Sequence, residues 1–215
     1  MSKTSGKLVI YGAWYFGRVV HEAAIAAGWN VLGFVDPDPP GGLKTLGTVP
    51  ADASVFVAIG DNAVRCAVHC ALAKRGRDLA TIIHPDSSIS PSATVGAGSY
   101  IAEHACVRTG ASIGEGVVLQ AGSVVSHDCK IDAHVSLGPN AACASKVSIG
   151  ACTGVGVGAA IAPGLIIGAD CTVAAGAAVF KSVDNCVSLI GNPARATPRP
   201  EKPAVQSDWE ANGVW

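Results

Sequence analysis

Residues 107–137, VRTGASIGEGVVLQAGSVVSHDCKIDAHVSL, repeat one pattern every six positions. Each unit places a large aliphatic residue first and a small or β-branched residue four positions later. The spacing continues without a slip from Ile83 to Val179, and only Cys143 replaces an aliphatic residue. The repeated positions are Ile83, Ile89, Val95, Ile101, Val107, Ile113, Leu119, Val125, Ile131, Leu137, Cys143, Ile149, Val155, Ile161, Ile167, Val173 and Val179.

A period this short is typical of a β-solenoid, because it fits one short strand and a tight corner but not a pair of helices. Three units close a triangular coil, and neighbouring coils stack about 4.8 Å apart. The run predicts about five to six coils ending near Asp184, with the aliphatic residues inside and the small residues at the corners.

The composition of the 215 residues limits the possible partners and compartment. Charged residues make up 14% and hydrophobic residues 49%, which argues against disorder. The net charge of −1 gives no electrostatic footprint for nucleic acid. No apolar run reaches the length of a membrane span, and the start lacks a signal peptide, so we expect no membrane partner and a cytoplasmic protein. The eight cysteines lack metal-binding spacing, which favours reduced structural thiols.

The chain is predicted to have three parts. Upstream of the repeat, strands and helices alternate in the order β-α-β-β-α-β, which predicts a small parallel sheet of the Rossmann type. We assign 1–82 to this Rossmann-like domain, 83–195 to the β-solenoid and 196–215 to a C-terminal tail. The predicted elements of the first domain are strands at Lys7–Gly12, Val31–Asp36 and Val55–Gly60, and helices at Gly17–Gly28 and Asn62–Gly76.

Two polar regions follow strands of the predicted sheet. The turn Gly12–Gly17 has the form GxxxxG, and a glycine turn before a helix can bind a phosphate through backbone N–H groups. Asp36 stands where a dinucleotide fold holds a ribose-binding acid. Gly60, Asn62 and Arg65 follow the third strand and are candidates for contacting a base, a ribose or a phosphate. The alternatives are an ordinary tight turn and capping of the second helix by Asp61 or Asn62.

One histidine of the repeat has a carboxylate beside it. His127 is followed by Asp128, and a carboxylate can orient an imidazole and raise its basicity. His134 lies on another predicted corner without such a neighbour in sequence. The alternative for a corner histidine is an exposed residue without a role. No GxSxG motif is present, so covalent catalysis by serine is poorly supported.

Motifs in both predicted domains carry a resemblance to a known family. The chain resembles bacterial nucleotide-sugar N-acetyltransferases that combine a Rossmann-like N-terminal domain with a left-handed β-helix of hexapeptide repeats. Members act on UDP-4-amino sugars of the bacillosamine pathway or on GDP-perosamine, and sialic-acid O-acetyltransferase relatives act on hydroxyl groups. The motifs are YGAxxxG at Tyr11–Gly17, AIGDNxxR at Ala58–Arg65, HPxxxISPSA at His84–Ala93, SxVxHDCxI at Ser123–Ile131 and GNPA at Gly191–Ala194.

The resemblance implies roles for individual residues in a homotrimer that uses acetyl-CoA as cosubstrate and no metal. His127 would be the general base and Asp128 its partner. The chain departs from the family where Trp14-Tyr15-Phe16 replaces Ser-Gly-His and where Ser136 replaces a second histidine. The implied sugar-nucleotide contacts are Ala13, Trp14, Tyr15, Phe16, Asp36, Gly60, Asn62 and Arg65, and the implied acetyl-CoA contacts are His134, Ser136, Ser145, Gly156, Val157, Ala174 and Ala175.

These observations predict transfer of acetyl from acetyl-CoA to the 4-amino group of a nucleotide-linked dideoxysugar, for surface polysaccharide or O-antigen synthesis. GDP-perosamine is the first candidate acceptor, because the aromatic turn departs from the UDP-type enzymes, and a UDP-4-amino sugar is the second. Two alternatives stay open: a sugar O-acetyltransferase of the sialic-acid type and a non-catalytic, nucleotide-binding solenoid.

Overall fold

The chain folds into two compact units. The computed structural model describes residues 6–41 and 45–199. The first unit ends at Pro85 and the second begins at Asp86. Most of the predicted C-terminal tail, residues 200–215, lies outside the described residues.

The first unit contains a three-stranded parallel sheet in the order β2-β1-β3, as the alternation of strands and helices predicts. Tyr11 at the end of β1 pairs with Val35 and Val57, so all three strands end at one edge of the sheet. Buried valines of the strands pack against Val68 and Leu72. The elements are β1 Lys7–Tyr11, α1 Tyr15–Ala26, β2 Asn30–Val35, β3 Ser54–Val57, α2 Asn62–Lys74 and β4 Ile82–Ile83.

The observed elements differ from the predicted bounds by one to three residues, and two of the differences concern glycines of the predicted site. α1 begins at Tyr15, so Gly17 lies inside the helix rather than at its start. A Cβ on Gly17 would be 2.0 Å from the carbonyl oxygen of Gly12, which explains why glycine is needed there. β3 ends at Val57, so Gly60 belongs to the loop beyond the strand.

The second unit is a parallel β-solenoid. Its elements are β5 Ser88–Ile89, β6 Thr94–Val95, β7 Tyr100–Ile101, β8 Cys106–Val107, β9 Ser112–Ile113, β10 Val118–Leu119, β11 Val124–Val125, β12 Lys130–Ile131, β13 Ser136–Leu137, β14 Ala142–Cys143, β15 Ser148–Ile149, β16 Gly154–Val155, β17 Ala160–Ile161, β18 Ile166–Ile167, β19 Thr172–Val173, β20 Ala178–Val179, β21 Val187–Ile190 and β22 Arg195–Pro198.

The strands of the solenoid form three faces, as the period of six predicts. Leu119 pairs with Ile101 on one side and with Leu137 on the other, so each coil repeats the register of the previous coil. The last strand, β22, pairs antiparallel with β21. It includes residues 196–198, which the prediction assigned to the C-terminal tail. The first face contains β7, β10, β13, β16 and β19, the second β5, β8, β11, β14, β17 and β20, and the third β6, β9, β12, β15 and β18.

The interior of the solenoid is built from the repeated aliphatic residues, which are buried from Ile101 to Val179. Cys143 is among them, and burial raises the pKa of its thiol. Ile89 and Val95 are only partly buried, since each lies in the first strand of its face. The inward prediction is wrong for Ile83, which is 38% exposed and lies at the end of the first unit.

The corners require a left-handed backbone at one repeated position. The residue three places after each inward residue from Ile101 to Val173 has a positive φ, for example 58° at Asp128 and 67° at Gly122. Glycine adopts this region freely, and Asn and Asp adopt it more readily than most other residues. The position is occupied by His104, Gly110, Gly116, Gly122, Asp128, His134, Asn140, Lys146, Cys152, Gly158, Gly164, Asp170 and Gly176.

Candidate active site

The first unit has a cavity of about 390 Å³ at the edge where its strands end. Trp14, Tyr15 and Phe16 form much of its wall. The Trp14 and Tyr15 rings are 6.4 Å apart and are exposed by 51% and 78%. Phe16 packs edge-on against Phe56. Exposed aromatic rings beside a cavity can stack on a planar group such as a nucleobase.

Asp36 joins the end of β2 to the glycine turn. One of its carboxylate oxygens accepts a hydrogen bond of 2.6 Å from the backbone N–H of Ala13, and the other accepts one of 2.9 Å from Asp38. The indole N–H of Trp14 donates to the carbonyl of Asp38 at 2.9 Å, which holds the ring at the rim. Asp36 lines the cavity, as does Tyr11, whose pKa is raised to about 12 by burial and then by the charge of Asp36.

Two predicted contacts need correction because their side chains are buried. Arg65 has no exposed surface, and its guanidinium donates to the carbonyl of Ile59 at 2.9 Å and to the side-chain oxygen of Asn62 at 2.8 Å. Asn62 itself is 7% exposed. Arg65 therefore holds the loop after β3 and does not reach a ligand from this conformation. The capping alternative is confirmed for Asp61, whose carboxylate accepts from the N–H groups of Ala63 and Val64.

His127 and Asp128 form a pair on one corner of the solenoid. His127 Nδ1 lies 2.9 Å from Asp128 Oδ2, and the two side chains are 51% and 53% exposed. With its proton on Nδ1, the imidazole donates to the carboxylate and keeps the Nε2 lone pair available to accept a proton. The positive φ of Asp128 places the two neighbouring side chains on the same side of the turn.

The neighbouring coils hold this pair in place. The backbone N–H of Asp128 donates to the carbonyl of Thr109 at 3.0 Å, and Lys146 donates to the carbonyl of His127 at the same distance. A Cβ on Gly110 would lie 2.6 Å from Asp128 Oδ1, so this glycine leaves room for the carboxylate. We call the turns 108–111, 126–129 and 144–147, which join the second face to the third, the His127 corner.

The predicted acetyl-CoA contacts lie on different edges of the solenoid. Ser145 belongs to the His127 corner, one coil after His127. His134 is nearly buried, on the corner that joins the third face to the first, and Ser136 lies on β13 of the first face. Gly156, Val157, Ala174 and Ala175 lie on stacked turns between the first and second faces, here called the small-residue corner. One chain therefore brings Ser145 to His127 but does not bring the other residues there.

The stacking period reveals residues that the motifs alone do not single out. Thr109 precedes His127, and Arg108 precedes Ser126, by one coil on the same corner. Comparing residues that stack in successive coils, rather than neighbours within one six-residue repeat, would have found both. In residues 6–41 and 45–199 no group of His, Cys, Asp and Glu side chains is arranged to hold a metal ion. No helix in those ranges is long and apolar enough to cross a membrane.

Comparisons with protein families match both units of the chain. The family described as the PglD N-terminal domain matches residues 7–72. The family described as bacterial transferase hexapeptide (six repeats) matches residues 110–144. The two matches correspond to the parallel sheet of the first unit and to the coils that surround His127.

Solved structures similar to this chain include three bacterial proteins. A mutant of perosamine N-acetyltransferase from Caulobacter crescentus, in complex with CoA and GDP-perosamine, is 35% identical, with a TM-score of 0.85 over 92% of this chain and 99% of that one. The acetyltransferase domain of PglB from Neisseria gonorrhoeae is 30% identical, with a TM-score of 0.82 over 89% and 99%. WeeI from Acinetobacter baumannii is 28% identical, with a TM-score of 0.81 over 90% and 100%.

Proposed function

The chain belongs to the family of sugar N-acetyltransferases that combine a PglD-type N-terminal domain with a hexapeptide-repeat β-helix, and from this premise we propose that it acetylates the 4-amino group of a nucleotide-linked sugar. The comparisons confirm the predicted family and fold class, a Rossmann-like unit followed by a left-handed β-helix. Solved members hold CoA or acetyl-CoA, which supports the predicted cosubstrate.

The exposed His127–Asp128 pair is the observation that carries the proposal. The pair lies 2.9 Å apart on a solenoid corner, with His127 open to solvent. In the proposed reaction the amine nitrogen of the acceptor attacks the thioester carbon of acetyl-CoA and forms the new C–N bond. His127 Nε2 takes the proton that the amine loses, which is general-base catalysis.

The remainder of the step restores the charge balance. The C–S bond breaks, the sulfur leaves with the electron pair, and the proton held by His127 passes to it, so the products are the amide and the free thiol of CoA. Asp128 holds the imidazole through Nδ1 and stabilises its charged form. A backbone N–H group of the neighbouring turns stabilises the oxyanion of the tetrahedral intermediate.

The distribution of the proposed contacts supports a homotrimer. The His127 corner and the small-residue corner are the two edges of the second face. They are separated by one side of a coil, which is six residues long and spans at most about 20 Å. Because different edges of two copies meet, the contact is heterologous and closes only as a ring. Three copies of a triangular prism satisfy this condition and unite His127 of one copy with the small-residue corner of the next.

The outward side chains of the second face fit such an assembly. They are small or apolar, and Val124 is 36% exposed in the single chain. By contrast, most outward side chains of the third face are polar, as expected of a surface in water. The outward residues of the second face are Ser88, Cys106, Val124, Ala142, Ala160 and Ala178, and those of the third are Thr94, Ser112, Lys130, Ser148 and Ile166.

The small-residue corner suits the extended arm of acetyl-CoA. Gly156 and Ala174 follow inward residues of successive coils, and both are small, as is Ala175 beside them. Such short side chains let a ligand approach the backbone and its hydrogen-bonding groups closely. We assign Gly156, Val157, Ala174 and Ala175 to the acyl donor, with Ser145, Ser136 and His134 contributed at other edges of the assembly.

The aromatic cavity of the first unit is the proposed site for the nucleotide of the acceptor. Trp14 and Tyr15 offer rings for stacking on a base, and Asp36 offers carboxylate oxygens to its N–H groups or to a ribose. A GDP-linked 4-amino sugar such as GDP-perosamine is our first candidate acceptor, and a UDP-4-amino sugar is the second. We place the reaction in the cytoplasm, in the synthesis of a surface polysaccharide or O-antigen.

The experiment is a thiol-release assay with acetyl-CoA and a panel of GDP-, UDP- and dTDP-linked amino sugars, followed by mass spectrometry of the products. We expect release only with an amino sugar and one added acetyl group on its nitrogen. The matched sugars that carry a hydroxyl in place of the amine are the controls. Acetylation of those controls would favour an O-acetyltransferase. The absence of both release and CoA binding would favour a non-catalytic nucleotide-binding protein.

A further inference from the structure

The second unit has a cavity of its own, of about 370 Å³, beside the first turns of the His127 corner. Ser90, Arg108 and Thr109 are among its lining residues. The lining is largely polar, in contrast to the aromatic wall of the first-unit cavity. None of these three residues has a role in the acyl-transfer step described above.

Hydroxyl groups and a guanidinium converge on this cavity. Ser90 Oγ lies 3.5 Å from Thr109 Oγ1 and 3.2 Å from Ser92 Oγ. Ser92 Oγ in turn accepts a hydrogen bond from the backbone N–H of Gly110. The exposed Arg108 donates one long bond of 3.8 Å to the thiol of Cys106. A thiol is a weak acceptor, so most donors of this guanidinium are available to a ligand.

The cavity lies one coil from the proposed base. The carbonyl of Thr109 accepts the backbone N–H of Asp128, which places Thr109 directly beside the His127–Asp128 turn. Adjacent coils are about 4.8 Å apart. A phosphate bound by Arg108 and Thr109 would therefore be separated from the amine that gives its proton to His127 by about the width of one sugar ring.

The charges of the two cavities differ in sign. Among the residues that the structure describes, Asp36 is the one charged residue that lines the first-unit cavity, and it is an anion. Within the same described ranges, Arg108 is the one charged residue that lines the second-unit cavity, and it is a cation. A nucleotide sugar carries two phosphates, which an arginine binds through charge-assisted and bidentate hydrogen bonds.

We propose that Arg108, with the hydroxyls of Ser90 and Thr109, forms a phosphate subsite that positions the acceptor beside His127. The inference rests on the proposed function. Phosphate is also present in coenzyme A, but there the long pantetheine arm separates it from the thioester. In a nucleotide sugar the nearer phosphate is attached to the ring that bears the amine. The short distance from the cavity to His127 therefore favours the acceptor.

The test compares steady-state constants of the full-length chain with those of Arg108→Ala, Arg108→Lys and Lys130→Ala. The substrate is the amino sugar on which the wild type is active. Lys130 is the matched control, since it is an exposed cation on the third face of the solenoid. We expect Arg108→Ala to raise KM for the acceptor roughly 10- to 100-fold and KM for acetyl-CoA less than about twofold. Arg108→Lys should restore part of the loss, and Lys130→Ala should match the wild type.

Each other outcome identifies a different failure. An unchanged acceptor KM in Arg108→Ala overturns the subsite. A rise confined to acetyl-CoA assigns the phosphate contact to the donor and overturns the assignment to the acceptor. An inactive wild type rejects the proposed function itself, before any variant is compared. If Arg108→Ala loses its native circular dichroism, Thr109→Val provides the same test, with a smaller rise expected in the acceptor KM alone.

Discussion

The candidate ligand sites of the two units differ in chemical character. The cavity of the first unit has an aromatic wall, an acid and a buried tyrosine. The His127 corner of the second unit has an exposed imidazole–carboxylate pair, hydroxyl groups and an arginine. An aromatic wall suits recognition of a planar base, whereas a polar corner suits proton transfer and the binding of charge. We therefore expect the first unit to recognise the nucleotide, and the second unit to bind the phosphates and carry out the chemistry.

The two units also differ in how their side chains are fixed. The turn of His127 and Asp128 is held by backbone hydrogen bonds to the coils on either side, through Thr109 and Lys146. The glycine turn of the first unit is held by a backbone bond from Gly12 to Val35 and by the side chains of Asp36 and Trp14. We expect substitutions in the cavity of the first unit to alter affinity for the acceptor, and substitutions of the His127–Asp128 pair to alter turnover.

The largest effect is expected on stability, when a buried side chain in the interior of the solenoid is shortened. Ile167 is 1% exposed and its neighbour Ile166 is 61% exposed, so the two form a matched pair of the same residue type. Ile167→Ala should lower the free energy of unfolding by about 2 to 5 kcal/mol. Ile166→Ala should change it by about 0.5 kcal/mol or less in the isolated chain. Urea unfolding measures both, and equal losses would contradict the assignment of inward and outward positions.

The next largest effect is expected on the turnover number, when His127 is replaced. His127→Asn should lower kcat about 100-fold, at the low end of the range for a general base, because an amine needs modest assistance. Its KM values should stay within about twofold of the wild type. His104→Asn is the control, as an exposed histidine on another corner of the solenoid. A large rise in either KM without a fall in kcat would make His127 a binding residue.

The first unit should show the reverse behaviour. Trp14→Ala removes an exposed ring from the cavity wall and should raise the acceptor KM roughly 10-fold, as the loss of one stacking contact does. Both kcat and the acetyl-CoA KM should remain near the wild-type values. Ile25→Ala, at another exposed site on α1, is the control. If Trp14→Ala lowered kcat instead, the division of roles between the units would be wrong.

The smallest effect is expected at the carboxylate partner. Asp128→Asn preserves the left-handed backbone, which asparagine tolerates, and removes the charge that orients His127. Because the pair is half-exposed, water screens this interaction, and we expect kcat to fall only about three- to tenfold. Asp132→Asn, another exposed acid of the solenoid, should have no effect. A loss as large as that of His127→Asn would mean that Asp128 takes part in proton transfer directly.

The solenoid could be predicted almost residue by residue, because a fixed period determines which side chains point inward. The prediction was wrong at Ile83, which the same period includes but which lies at the end of the first unit. The period also predicts which residues stack, yet Arg108 was missed because the motifs were read along the chain rather than across coils. The left-handed position at Asp128 can be recognised from the glycines and asparagine that recur at that place.

The first unit could be predicted only at the level of its elements. Its glycine turn and Asp36 were recognised from their order along the chain, and the cavity brings them together. Arg65 was misassigned because sequence does not reveal that its guanidinium turns inward to the carbonyls of its own loop. Without a repeat, the direction of each side chain depends on packing that is established only when the unit folds.

The pH dependence of thiol release from acetyl-CoA, compared between the wild type and His127→Asn from pH 6 to 9, is the most direct test of His127 as the general base. We expect the variant to be about 100-fold slower than the wild type near neutral pH. The gap should narrow as the pH rises, because more of the acceptor amine then loses its proton without a base. A variant that matches the wild-type rate across the whole range would contradict the assignment of His127 as the base.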